Sequence, residues 1–294
     1  MKRGFTLIEL LIVLTILSVL TLVAVQSLGP LAEQASYEST RTTLDRIEEA
    51  VMGPESLRQT DGTPIISGFV ADVGRLPMMV DGSPPGWELQ ELWNDEFATT
   101  FPYGTRPGPV LFADENFSHI RLACGWRGPY LRPPSTAGLR DGWGKPLAYL
   151  FSGDPLTLEV AADLTAEMPS VAEPPRMMSL VTLVGRIVYD DGTPAVGNGN
   201  VSVNAFLISP DAGIPDSLSV TQFAVTEEAP DFVFSSVAPG LRAIRVVVRQ
   251  DGNEFADKTV YRHVLRSGIS DLQIELGTPP PVAPPVTPPE ENDD

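Results

Sequence analysis

The sequence has few of the residues from which catalytic and metal sites are usually built. It contains one cysteine, Cys124, and two histidines, His119 and His263. A single cysteine excludes an internal disulfide framework and any zinc site that needs paired cysteines. The chain also lacks the short motifs of phosphate-binding loops, zinc proteases and serine hydrolases. We therefore predict a protein that is not an enzyme and that holds no metal or other cofactor.

One alternative to this prediction stays open at the level of the sequence. His119 and Cys124 are five positions apart, and a thiol beside an imidazole is the arrangement of cysteine-based catalysis. No motif that would orient the pair or form an oxyanion hole lies nearby. We favour a buried thiol and a surface histidine, because free cysteines are among the most frequently buried side chains.

Positive charge is also scarce. The chain has 20 lysines and arginines against 38 acidic residues, for a net charge of −18. Nucleic-acid-binding surfaces need clustered lysine and arginine, so no nucleic-acid partner is expected. The acidic excess is typical of an exposed, soluble body whose copies repel one another at long range.

The N-terminal segment is the most informative part of the sequence. Residues 5–28 form an apolar run of 24 positions, about 36 Å as a helix, which is enough to span a bilayer. Glu9 is its only charged residue, and a carboxylate in a membrane helix costs about 2.5–3.5 kcal/mol, so its presence indicates a function. Lys2 and Arg3 precede the run. They predict a cytoplasmic N-terminus and an inner-membrane single pass, with the rest of the chain in the periplasm.

Two simpler explanations account for only part of this segment. A plain membrane anchor explains its length but not Glu9, and a cleaved secretory signal explains its basic start but not its length. The apolar run continues into an amphipathic pattern in which Leu44, Ile47 and Val51 recur at helical spacing. We predict one long helix over residues 5–53, broken or kinked at Gly29 and Pro30.

The first fourteen residues, MKRGFTLIELLIVL, resemble the N-terminal signature of type IV pilins and type II secretion pseudopilins. The resemblance implies that residues 1–4 are a leader, that prepilin peptidase cleaves between Gly4 and Phe5, and that Phe5 becomes N-methylated. Glu9 matches the acid that in this family neutralises the N-terminal amine of a neighbouring subunit. The implied partners are prepilin peptidase, other pilin or pseudopilin subunits, the inner-membrane assembly platform and, before assembly, membrane lipid.

Residues 54–168 are predicted to form a pilin-like globular domain, in which the long helix packs on a small antiparallel sheet. The segment DGWGKPLAY at residues 141–149 is similar to the strand entry of major pseudopilins, and GFVADVGRLP at residues 68–77 resembles pseudopilin loops. The calcium loop of major pseudopilins has no match, because residues 158–164 lack its glycines and clustered oxygen ligands. Asp154 and Asp163 are interpreted as solvated loop acids rather than calcium ligands.

The C-terminal third has a different pattern. A linker is predicted over residues 169–178, an all-β sandwich over residues 179–277 and a disordered, proline-rich acidic tail over residues 278–294. The sandwich resembles the carboxypeptidase-regulatory-like domain, of transthyretin type, in GRIV at 185–188, DGTP at 191–194, NVSV at 200–203 and FVFSSVAPG at 232–240. The whole chain is therefore expected to be an α+β protein.

Three functions remain open from the sequence. The first is a pseudopilin-like structural subunit that assembles through its N-terminal helix into a type II secretion pseudopilus or a related filament. The second is a surface type IV pilin or minor pilin whose sandwich binds a ligand or a surface. The third is a membrane-anchored periplasmic binding module that does not polymerise. Glu9 separates the third from the others, because a plain anchor has no use for the acid.

Overall fold

A computed structural model describes residues 7–54, 67–80, 83–132, 138–153, 156–163, 174–214 and 217–279. Over these residues the chain forms one long helix, two five-residue helices, one 3₁₀ turn and twelve strands. The helices are α1 (Leu7–Met52), α2 (Phe69–Val73) and α3 (Glu96–Thr100), and the 3₁₀ turn is Gln90–Leu92. The strands are β1 (Gly104–Pro107), β2 (Arg121–Cys124), β3 (Ala148–Gly153), β4 (Leu156–Ala161), β5 (Arg176–Ser179), β6 (Val181–Val188), β7 (Val201–Pro210), β8 (Leu218–Val225), β9 (Asp231–Val237), β10 (Gly240–Gln250), β11 (Asn253–Val264) and β12 (Ile269–Glu275).

The long N-terminal helix is present and is not interrupted at Gly29 and Pro30, whereas a kink there stays a prediction. Gly29 and Pro30 both lie inside α1, which continues through them to Met52. Proline removes one backbone N–H from the helical hydrogen bonds and costs about 3 kcal/mol in a helix interior. The helix continues on both sides of Pro30. The rest of the 46-residue helix therefore offsets the free-energy cost of the proline, and the chain does not unwind there.

The C-terminal half of α1 packs against the body through the predicted stripe. Leu44, Ile47 and Val51 are fully buried, in one cluster with Leu158 and Met178. Those two residues belong to a three-stranded antiparallel sheet in the order β3-β4-β5. Helix α1 therefore packs on this sheet through the same side chains that helical spacing identifies in the sequence.

The predicted linker is partly wrong, because it contains a strand. Residues 176–179 form β5, which pairs with β4, and Met178 is buried beneath α1. Arg176 at the start of β5 also forms an ion pair with Asp45 of α1 at 2.7 Å. A single buried methionine supplies no periodicity, so composition alone missed this strand. The first half of the expected linker, residues 169–173, lies outside the described residues.

Seven strands form two facing sheets in the C-terminal region. One sheet has the order β11-β10-β7-β8 and the other β12-β6-β9, with β12 parallel to β6 and the remaining pairs antiparallel. Apolar side chains from both sheets meet between them, Phe232 and Ile187 from one, Val246 and Ala205 from the other. This confirms a β-rich, sandwich-like region. The runs predicted as strands correspond to β6, β7, β9 and β10.

The middle region packs on the outer face of the sandwich. The segment that includes β2 packs Phe117, Ile120 and Leu122 against Phe206 and Ile208 on the outer side of β7. Gly74 also approaches β7 so closely that a Cβ there would lie 2.6 Å from the Pro210 carbonyl oxygen. The boundary expected between residues 168 and 179 therefore separates two parts of one packed body.

Buried ionic groups join the two parts. We call Asp72, Arg127, Tyr130 and Arg242 the interface cluster. Arg242, on β10, is 1% exposed and donates to the carbonyl oxygens of Ala238, Pro239, Leu241 and, in the middle region, Ala71. Asp72 accepts from the Tyr130 hydroxyl at 3.1 Å and lies 3.1 Å from the Arg127 guanidinium.

Desolvation sets the charges in this cluster. Burial raises the pKa of Asp72 to about 6, although Arg127 and the Tyr130 hydroxyl oppose the rise. Burial also lowers the pKa of Arg242 to about 10, with Asp72 opposing the fall. At neutral pH both groups are therefore ionised at a cost that their partners only partly offset.

A second ionic network holds the loop before β2 onto the same sheet. Glu115 is 4% exposed and lies between two arginines of β10, 3.4 Å from Arg245 and 2.5 Å from Arg249. Arg245 also pairs with Asp257 at 2.7 Å and lies over the Phe117 ring at 5.2 Å. Strand β10 is therefore fixed to the middle region at two points, this network and the interface cluster.

Replacing Phe232 by alanine tests whether the sandwich and the middle region unfold together. Phe232 is fully buried in a cluster made only of sandwich residues, and its loss should cost about 3–5 kcal/mol. All four tryptophans lie between residues 87 and 143, so tryptophan fluorescence reports on the middle region. We expect Phe232→Ala to lower the urea midpoint seen by tryptophan fluorescence of the full chain in detergent.

Val233→Ala is the matched control for this change. Val233 is the next residue on β9 and is 43% exposed, so its truncation should move the midpoint little. A tryptophan midpoint that stays in place in Phe232→Ala, while circular dichroism shows early loss of strand signal, would mean two independent domains.

The raised pKa of Asp72 predicts a pH-dependent stability. In the unfolded chain its pKa is near the ordinary 3.8, so the folded state binds the proton more tightly between pH 3.8 and about 6. The contribution of Asp72 to the free energy of unfolding should therefore fall as pH rises through this window, by about 3 kcal/mol. Urea unfolding of the wild type and of Asp72→Asn should give a difference that declines from pH 4 to 7. A difference that is flat or rises with pH would contradict this assignment.

Candidate assembly site

The N-terminal half of α1 projects from the body with its apolar side chains uncovered. From Leu7 to Val23 and from Gly29 to Ala35 every described residue is exposed, Leu7 by 84% and Leu20 by 60%. We call residues 7–35 the N-terminal arm. At 1.5 Å per residue the arm is about 43 Å long. An apolar surface of this size on all sides of a helix is typical of a segment that is covered by lipid or by other helices.

Glu9 lies in the first turn of α1, at the free end of the arm. A carboxylate is favourable there because the helix dipole places partial positive charge at the N-terminus. Its neighbours Ile8, Leu10 and Leu11 are apolar and more than half exposed. The arm therefore presents an acid at its tip, within a surface that is otherwise made of aliphatic side chains.

The hydroxyl groups of the arm are bonded to its own backbone. Thr15, Ser18 and Thr21 donate to the carbonyl oxygens of Ile12, Leu14 and Leu17 at 2.7–2.8 Å. Such bonds remove the need for water around a polar side chain. These three residues are therefore compatible with an apolar environment, in lipid or in a helix bundle.

Other predicted site residues fall in different places. Gly4 and Phe5 lie outside the described residues, so cleavage and methylation there stay predictions. Asp154 also lies outside them, and Asp163 is exposed. Over the described ranges no three histidine, cysteine or acidic side chains gather as a metal site would require. Within the same ranges no helix is both long and apolar enough to cross a bilayer, and the span expected over residues 5–28 stays a prediction.

The structure separates the two residues of the alternative catalytic pair. Cys124 is fully buried and its thiol lies 3.6 Å from the Ser217 carbonyl oxygen, whereas His119 is exposed. This confirms the interpretation as a buried thiol and a surface histidine. Of the four tryptophans, Trp126 is buried, and Trp87, Trp93 and Trp143 are half-buried.

Sequence analysis missed the interface cluster. GFVADVGRLP was compared with loops, but its residues 69–73 form α2, and all five are buried. A five-residue helix has no usable periodicity, and its burial comes from distant parts of the chain. One signal was present in the sequence: Arg242 and Arg245 interrupt the apolar run of β10, where a charged side chain must point into a packed face.

A family model described as the prokaryotic N-terminal methylation motif matches residues 1–25. No curated protein matches the chain. The motif supports a type IV pilin- or pseudopilin-like subunit and indicates a structural protein, processed by prepilin peptidase and assembled with other pilin-type subunits. The likeness of the sandwich to carboxypeptidase-regulatory-like domains stays a prediction.

Proposed function

We propose that this chain is a pseudopilin-like structural subunit. Prepilin peptidase cleaves it between Gly4 and Phe5, Phe5 is N-methylated, and the subunit polymerises through α1 into a type II secretion pseudopilus or a related filament. The observation that carries the proposal is the N-terminal arm, an uncovered apolar helix with Glu9 at its tip, in the segment that matches the methylation motif.

The arm stays in the inner membrane until assembly. Lys2 and Arg3 keep the leader in the cytoplasm, and the body lies in the periplasm. Moving the arm from lipid into a bundle of neighbouring arms gains little from the hydrophobic effect, because lipid tails are as apolar as leucine. Packing and the few polar groups of the arm therefore decide whether and in which register subunits associate.

Glu9 supplies the specific attraction. Cleavage creates a positive amine at Phe5, and the Glu9 carboxylate of the adjacent subunit neutralises it. Two unit charges 4 Å apart attract by about 4 kcal/mol at an effective dielectric constant of 20, compared with about 1 kcal/mol in water. Each charge also relieves the other of the cost of being desolvated alone. The pair is thus weak for a subunit in water and strong in the core of a filament.

The rest of the chain is suited to the outside of such a filament. The exposed arm and the packed body lie at opposite ends of α1, so arms can gather at an axis while bodies face outward. One surface of each subunit then meets a different surface of the next, which is the arrangement that gives open helical polymers. The sandwich adds bulk to the outward-facing part.

Replacing Glu9 by alanine tests polymerisation. The change removes the partner of the Phe5 amine and leaves that charge unpaired in an apolar core. We expect leader cleavage to proceed and the amount of subunit in sheared filaments to fall at least about tenfold, because tenfold needs only about 1.4 kcal/mol of the roughly 4 kcal/mol that the pair supplies. The measurement is immunoblotting of filament fractions, together with electron microscopy, in cells that carry the assembly machinery.

Glu33→Ala is the matched control for this experiment. Glu33 is also an exposed acid of the arm, but it lies well away from the apolar tip. Its loss should leave filament yield unchanged. Full filament yield in Glu9→Ala, or the absence of filaments from the wild type, would favour a membrane-anchored module that does not polymerise.

A further inference from the structure

A groove lies beside the C-terminal end of α1, at the opposite end of the helix from Glu9. Its volume is about 660 Å³. The walls come from three segments: α1 and the residues that follow it, residues 67–68, and residues 127–132. The groove is thus built from parts of the chain that are held together by the packing of the body.

The groove collects positive charge on a strongly acidic protein. Arg46, Arg127 and Arg132 line it, with Glu49 as the one acid among its lining residues. Arg127 is shared with buried Asp72, but Arg46 and Arg132 form no ion pair with any residue that the structure describes. Arg46 and Arg132 are exposed, and a guanidinium binds a carboxylate as a fork of parallel N–H donors.

The floor of the groove is apolar and rigid. Ala50, Pro54, Pro129 and Leu131 contribute to it, beside the ring of Tyr130. That ring is fixed edge-on against Phe69 at 5.6 Å and Trp126 at 5.9 Å, and its hydroxyl is bonded to Asp72. A rigid aromatic and aliphatic surface with basic groups at its margin suits an extended peptide that is rich in proline and acidic residues.

The chain itself contains such a peptide. Residues 280–294 read PPVAPPVTPPEENDD, with six prolines followed by four acids. We propose that the groove binds this acidic tail from a second copy of the chain, an inference that rests on the proposed polymerisation. The prolines lie on the apolar floor, and the carboxylates of the last five residues bind Arg46 and Arg132.

The tail is long enough to reach a neighbouring copy, and the proposed polymerisation favours that copy as its source. Arg266, just before β12, contacts Glu48 and Gly53 at the end of α1, so β12 begins near the groove. Six residue steps at about 3.3 Å then carry the chain roughly 20 Å away to Glu275. The tail thus starts at the far end of the strand, and fifteen residues in an extended conformation reach about 46 Å. A tail passed to the next subunit gives a head-to-tail contact, as an open polymer requires.

The test measures binding of a fluorescent peptide of residues 280–294 to the full chain in detergent micelles, by anisotropy. We expect binding to wild type that weakens with salt. It should weaken at least about tenfold in the double variant Arg46→Gln, Arg132→Gln. The double variant Arg41→Gln, Arg262→Gln removes two exposed arginines elsewhere and should bind like wild type. A peptide with all four acids replaced by their amides should also bind about tenfold more weakly.

A further variant separates the two possible sources of the tail. In it, Glu290→Gln, Glu291→Gln, Asp293→Asn and Asp294→Asn neutralise the chain's own tail. If the groove is filled by a neighbour, dilute wild type and this variant should bind the peptide equally. Tighter binding by the variant would mean that each chain fills its own groove and would overturn the proposal. Equal binding by Arg46→Gln, Arg132→Gln and wild type would exclude this groove altogether.

The outcome is independent of the test of polymerisation. Glu9→Ala lies at the other end of α1 and should bind the peptide as wild type does. Loss of filaments with intact peptide binding would bear only on the proposed role of Glu9 in polymerisation. Normal filaments without peptide binding would refute only the proposal that the groove binds the tail.

Discussion

A helix with aliphatic side chains on every side is unstable in water, and this constraint governs the molecule. The arm from Leu7 to Ala35 receives no cover from its own body over the residues described. It must be covered by lipid or by other subunits, and Glu9 makes lipid the less favourable of the two. Under the proposed function, lipid covers the arm before assembly, and a polymer then covers it with a core that supplies an opposite charge.

The body forms one packed unit at the C-terminal end of that arm. Hydrophobic contacts between β2 and the outer face of β7 join the middle region to the sandwich. The buried charges of Arg242 and Glu115 strengthen the union in a particular way. Each is paired or hydrogen-bonded across the boundary, so separating the two parts would leave a buried charge without its partner. In the proposed filament, a rigid body would keep a fixed position relative to the arm. A body attached through a flexible linker would not.

The sequence predicted elements that carry periodicity and missed those made by distant contacts. Leu44, Ile47 and Val51 identified the packed face of α1, and β-branched runs identified β6, β7 and β10. The strand β5 and the helix α2 are too short to show a pattern, and burial beneath other elements makes them. Pro30 predicted a break because local preference was weighed without the length of the helix around it. At the candidate site, Glu9 was identified from its unfavourable position, and its role from the resemblance to pilins, whereas the groove depends on segments distant in the sequence that only folding brings together.

The most direct test of this account is the intact mass of the protein recovered from its native envelope. Processing as a prepilin predicts a mass that lacks Met1 to Gly4 and is heavier by one methyl group. That result would show that the apolar arm is retained with a new amine at Phe5, the charge that Glu9 is expected to meet. A full-length mass, or cleavage after about residue 25, would contradict the account, because the arm and its acid would then serve only anchoring or export.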